Sequence, residues 1–106
     1  MIKVFYDSSA YRLTVSGHAG AAPKGEDLVC AGATALALTL ATNVQMLEEK
    51  GIVREAHIEL DDGIADISCK PADTYGALVM IIYETICIGM AELAKANVEH
   101  MEYRSK

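Results

Sequence analysis

Tryptophan is absent from this 106-residue chain, phenylalanine occurs once, and nine lysines and arginines face 15 acidic residues. The shortage of large aromatics predicts an aliphatic core of Ala, Val, Ile, Leu and Met. The shortage of positive charge gives a formal net charge of -6 at pH 7 and a pI of about 4.9. It removes the basic face that direct nucleic-acid binding requires. Cysteine occurs three times, as Cys30, Cys69 and Cys87, an odd and widely spaced set that makes a poor disulfide framework. The opening residues MIKVFYDSS lack a basic region followed by an apolar run, so they do not read as a signal peptide. A reducing cytoplasm is the expected location.

What the chain does have is apolar content, at 52% against 23% charged residues. That balance belongs to a folded globular protein, and the length suits one domain over residues 1–106. Residues 2–7 (IKVFYD) and 11–16 (YRLTVS) read as strands, the second with Tyr11, Leu13 and Val15 alternating with polar neighbours. From Asp27, an N-cap residue type, the pattern turns helical to about Lys50 and stops at Gly51. Residues 55–60 and 64–70 form a second hairpin about Asp61-Asp62-Gly63. A second long helix is expected from Pro71-Ala72-Asp73 to about Ala96, and a last strand over 98–103. The order β-β-α-β-β-α-β predicts an α+β fold, a mainly antiparallel sheet with two long helices packed on it.

Both helices are apolar beyond what one sheet face can cover. Residues 33–46 carry no charge, and residues 76–90 carry only Glu84. Residues 28–47 approach the length of a membrane span, but Gly32, three threonines, Asn43 and Gln45 interrupt them, so they read as a buried helix with no membrane partner. Helices apolar all round need a second neighbour. Each other supplies part of it, and a second subunit in a symmetric homodimer supplies the rest.

The stretch from Gly17 to Gly32, GHAGAAPKGEDLVCAG, gathers four glycines and one proline between His18 and Cys30. Cys30 falls in the first turn of the first helix. Free backbone N–H groups there carry partial positive charge and favour a thiolate, the form that attacks a carbonyl. His18 is placed to take the thiol proton and later protonate a leaving amine. Gly17, Gly20 and Gly25 allow the sharp turns that return His18 toward Cys30, and Gly32 leaves space beside the helix. Asp27 opposes a nearby thiolate unless its charge is spent on the helix N-terminus or on His18. Gly20 and Gly25 have a phosphate-loop spacing, but Glu26 and Asp27 stand where such a loop needs Lys and Ser/Thr. No cysteine pair has zinc-ligand spacing, so neither a metal nor a cofactor is expected.

These residues resemble the ribosomal-processing cysteine protease (Prp) family. The likeness lies in the Gly17-His18-Ala19 turn, the glycine-rich loop, and Gly25-Glu26-Asp27-Leu28-Val29-Cys30-Ala31 leading into an apolar helix. The resemblance implies a Cys/His endopeptidase that removes an N-terminal extension from a bacterial large-subunit ribosomal protein. It implies Cys30 as nucleophile, His18 as base, Asp27 as a supporting residue, and Thr34 at a position where the family has serine. It also implies a homodimer, and a loop over residues 19–26 that closes on substrate.

Two other functions stay open to the sequence: a non-catalytic ribosome-assembly binding module with Cys30 as a structural thiol, and a thiol redox protein, for which a nearby resolving cysteine is missing. His57 and His100 read as solvent-facing strand residues, Cys69 and Cys87 as core, and Met80 and Met90 as core or interface.

Overall fold

Alternation in the first two strands decides the layering. Ile2, Val4 and Tyr6 of β1 (Ile2–Asp7) are buried while Lys3 and Phe5 are exposed. Leu13 and Val15 of β2 (Arg12–Ser16) are buried in the same rhythm. Successive strand residues point to opposite faces, so one face of this hairpin is apolar and must be covered. Cross-strand pairing of Val4 with Val15 and of Tyr6 with Leu13 keeps the apolar sets in register. The structure, a computed structural model, describes residues 1–23 and 25–106.

The remaining elements are α1 (Leu28–Glu49), β3 (Val53–Asp61), β4 (Ile64–Pro71), α2 (Gly76–Ala96) and β5 (Met101–Ser105). The five strands form one sheet in the order β3-β4-β2-β1-β5. All neighbours are antiparallel except β1 and β5, which run parallel. This is the α+β fold and element order that the sequence predicts. Both helices cover the apolar face, α1 beside β3 and β4 and α2 beside β5. The opposite face is mostly polar, with Phe5 exposed on it. There Arg12 grips the Asp66 carboxylate with two hydrogen bonds, of 2.9 and 2.6 Å.

The two helices meet through a reciprocal pair of glycines. A side chain at Gly32 would press on Leu93 at 3.1 Å, and one at Gly89 would press on Leu36 at 2.8 Å. Each helix thus offers a glycine gap to a leucine of the other, and the backbones approach closely. The space that Gly32 leaves is filled by α2.

The core differs from the aliphatic expectation. Tyr83 is fully buried and stacks on Tyr6, with ring centroids 5.7 Å apart. Tyr11 meets the Tyr83 ring edge-on at 6.4 Å. The Tyr83 hydroxyl is accommodated by the Ile67 carbonyl at 3.5 Å and the Cys69 sulfur at 3.6 Å. A phenol can enter an apolar core when its oxygen finds partners, and counting Phe and Trp alone misses that route.

Several boundaries also move. Pro71 ends β4, and α2 starts at Gly76 after a turn through Asp73, whose φ is +43°. Residues 98–100 form a turn, so β5 starts at Met101. β3 extends beyond the predicted 55–60 and is bulged between Arg54 and His57. Glu48 at the end of α1 accepts a 2.9 Å hydrogen bond from the Ala56 N–H at that bulge.

By length and composition alone, either helix could cross a membrane. Here each lays one stripe on the sheet, α1 with Val29, Ala33, Ala37, Leu40, Val44 and Leu47. Leu38 and Met46 of α1 and Leu78, Ile81 and Ile88 of α2 stay exposed.

Candidate active site

The site is built where β2 ends. Gly17 has φ +89°, and a side chain there would overlap the Met1 carbonyl oxygen. Only glycine can make this turn. The Gly17 N–H donates to the Gly63 carbonyl at 2.8 Å, which binds the loop to the β3–β4 turn. Gly20 and Gly25 also have positive φ, at +68° and +92°, as the sharp turns assigned to them require. The expected substrate loop over 19–26 includes Lys24, which lies outside the described residues.

Asp27 is the N-cap of α1. Its carboxylate accepts hydrogen bonds from the N–H groups of Val29 and Cys30, each at 3.0 Å, through Oδ1. Oδ2 accepts a third from the Ala21 N–H at 3.0 Å. The Cys30 N–H, above all, holds the Asp27 carboxyl below the usual carboxylate range, against the opposing effect of its burial. The charge is therefore spent on the helix end, the loop and the Cys30 side chain. His18 receives none of these bonds.

Cys30 is half-buried, in the first turn of α1 as predicted. Its sulfur accepts a hydrogen bond from the Ala19 N–H at 3.3 Å. Ala19 is itself buried, and its carbonyl accepts a 3.0 Å hydrogen bond from His100 Nδ1. His18 projects differently. Its side chain is 60% exposed, and Nε2 lies 3.8 Å from Asp62 Oδ1. The imidazole packs against Gly63, where a Cβ would stand 2.8 Å from Nε2.

His18, Cys30, Asp27 and Thr34 all border one groove of about 850 Å³. Gly17, Gly20 and Gly25 lie along the same groove. Leu38, Leu60 and Ile64, each more than two-fifths exposed, give it apolar walls. Asp61 at the end of β3 and Asp62 of the β3–β4 turn add acidic groups. Thr34 is exposed one helical turn beyond Cys30.

The predicted residues are thus brought to one place, but no hydrogen bond joins His18 to Cys30 among the described residues. Contacts between an unliganded enzyme's base and nucleophile are often long and tighten in the complex. Of the residues set aside, Cys69 and Cys87 are buried in the core, as read, and burial pushes both thiols up in pKa. Met90 is fully buried and His57 is exposed, also as read. His100 corrects the sequence reading: it lies half-buried in the turn before β5 and reaches the loop beside Cys30.

A half-buried thiol at a helix N-terminus, sharing an open groove with an imidazole, defines a site suited to thiol-dependent acyl transfer. The family model for cysteine protease Prp matches residues 1–102, and the chain belongs to that family of cysteine proteases. The fold is shared with solved structures across almost the whole chain. An essential ribosomal processing protease Prp from S. aureus, in complex with a covalently linked product peptide, is 24% identical with a TM-score of 0.80, covering 100% of both chains. The same S. aureus protease with a substrate peptide gives 22% identity, a TM-score of 0.72 and 100% coverage of both chains. A Streptococcus mutans protein is 19% identical with a TM-score of 0.67, over 98% of this chain and 90% of the other. No curated protein sequence matches this one.

Proposed function

We propose that this cysteine protease is a cytoplasmic endopeptidase that removes the N-terminal extension of a bacterial large-subunit ribosomal protein. The observation that carries the reading is the joint placement of Cys30 and His18 on one apolar groove at the start of α1. His18 takes the Cys30 proton, and the thiolate attacks the scissile carbonyl carbon. The tetrahedral adduct expels the amine, which receives the proton from His18, and a thioester remains. Water, deprotonated by His18, then hydrolyses the thioester and releases the new acid terminus and the free thiol. Asp27 keeps the loop and the helix end in place, and Thr34 presents a hydroxyl where the family has serine.

The walls of the groove support the substrate class that the family resemblance implies. Leu38, Leu60 and Ile64 suit apolar side chains near the cut. Asp61 and Asp62, with the net charge of -6, favour encounter with a segment leading into a basic ribosomal protein. The same acidity disfavours direct nucleic-acid contact. The exposed Ile81 and Ile88 of α2, with Met46 of α1, fit a symmetric homodimer.

The test is cleavage of a peptide carrying the N-terminal extension of the organism's own ribosomal target. Cys30→Ala should abolish it, and His18→Ala should slow it by roughly 10²–10⁴-fold, with folding kept. Full cleavage by folded Cys30→Ala would refute the mechanism, and binding without cleavage by the unaltered protein would refute the assignment.

A further inference from the structure

Ala19 is held from both sides of one residue. Its N–H points at the Cys30 sulfur at 3.3 Å, and its carbonyl accepts from His100 Nδ1 at 3.0 Å. The two partners of Ala19 come from opposite regions of the chain, one from the start of α1 and one from the turn before β5. A carbonyl oxygen has no proton to give, so Nδ1 must carry the hydrogen. That fixes the His100 tautomer or charge state to one with an Nδ1–H. The His100 main chain is anchored, because its N–H donates to the Asn97 carbonyl at 2.9 Å and its carbonyl accepts from the Ile2 N–H at 2.9 Å.

We propose that His100 is a positioning residue for the nucleophile: its Nδ1–H fastens the Ala19 carbonyl, and so holds the Ala19 N–H on the Cys30 sulfur. A hydrogen bond to sulfur is worth more to a thiolate than to a thiol, since charge-assisted bonds are the stronger class. The segment is also held at Gly17, whose N–H donates to the Gly63 carbonyl, and at Ala21, whose N–H donates to Asp27, and the His100 bond adds a hold on the Ala19 carbonyl between them. His100 touches no reacting atom. It acts through Ala19, and its consequence for turnover rests on the reading of Cys30 as nucleophile. Among the described residues, the ionisable groups that share the groove with the sulfur are Asp27 at the α1 cap, which also hydrogen-bonds the Cys30 side chain, His18 in the loop, Asp61 at the end of β3 and Asp62 of the β3–β4 turn.

The test compares His100→Asn, whose side-chain amide can replace the Nδ1 donor, with His100→Leu, which keeps bulk and loses the donor. Iodoacetamide alkylation of Cys30 is followed by mass spectrometry of the intact protein across pH. Buried Cys69 and Cys87 report any loosening of the fold. His100→Leu should alkylate Cys30 on the order of tenfold more slowly at pH 7, with its profile displaced to higher pH. His100→Asn should stay close to the parent. Equal profiles for parent, Asn and Leu proteins would overturn the proposal, and so would equal slowing in Asn and Leu proteins that remain folded. Imidazole ¹⁵N spectra of the unaltered protein give a second check that needs no variant. At pH 8 His100 should carry its proton on Nδ1, and an Nε2–H tautomer would overturn the assignment. Alkylation requires no peptide, so failure to cut a ribosomal peptide would sink the proposed function and leave this inference standing.

Discussion

Asp27 serves the helix and the loop with one carboxylate, and both services need its charge. Its folded pKa lies below the usual value chiefly because the Cys30 N–H donates to it. A depressed carboxylate contributes stability that is fully present above the unfolded pKa of about 3.9 and is lost as pH falls through the lower folded value. Asp27→Asn should therefore melt below the parent at pH 7, and the gap should close in acid. Thermal unfolding monitored by circular dichroism at pH 7 and at successively lower pH would check both signs. A second residue-scale prediction concerns Gly63, at φ +74° under the His18 ring. Gly63→Ala costs about 1–2 kcal/mol for the left-handed backbone. It also drives the exposed imidazole aside, since the obstructing atom is the end of a movable side chain. Turnover should drop further than stability alone explains, as measured by kcat beside a urea melt. Residues of this kind show how far the sequence was readable. Cys30, His18 and Asp27 could be named because each bears chemistry within one short stretch. His100 could not, since 81 positions separate it from Ala19 and only the completed sheet brings them together.

At the scale of elements, the glycine gaps between α1 and α2 set the helix spacing. Ala is favoured over Gly in a helix by about 1 kcal/mol, which offsets the slight yielding of Leu93 at Gly32. Gly32→Ala should accordingly leave stability within about 1 kcal/mol of the parent. Gly89→Val has no such compensation, because even a Cβ there stands 2.8 Å from Leu36. It should lose about 1–3 kcal/mol by overpacking, read from denaturant unfolding. The elements themselves were largely legible, because alternation in β1 and β2 and the cap at Asp27 are local signals. The boundaries of α2 and β5 were less so. Pro71 and Asp73 are fair helix-start residues, yet the β4 ladder keeps Pro71 opposite Val53, and the helix waits until Gly76. The bulge in β3 had no local signal either, since Glu55 adopts φ +51° in a stretch of ordinary strand residues.

At the scale of the molecule, one sheet face and two helices leave apolar residues over. If a second copy covers them, light scattering should give twice the 11.4 kDa chain mass at micromolar concentration. Ile81→Glu with Ile88→Glu should return it to the single mass with the helices intact, as both side chains are more than three-fifths exposed in the lone chain. A parent protein already at the single mass would remove the dimer. The pairing of β1 with β5 carries a further consequence, for the order of assembly. Ile2 lies opposite Met101, so this pairing closes nearly the longest loop the chain allows, and such contacts are slow to form. The hairpins and their helices can settle before it does. Met101→Ala should then slow this closing step in refolding, which stopped-flow mixing would reveal. Because His100 stands at the head of that late strand, thiol reactivity should mature only in the final kinetic phase, after most of the secondary structure has already formed.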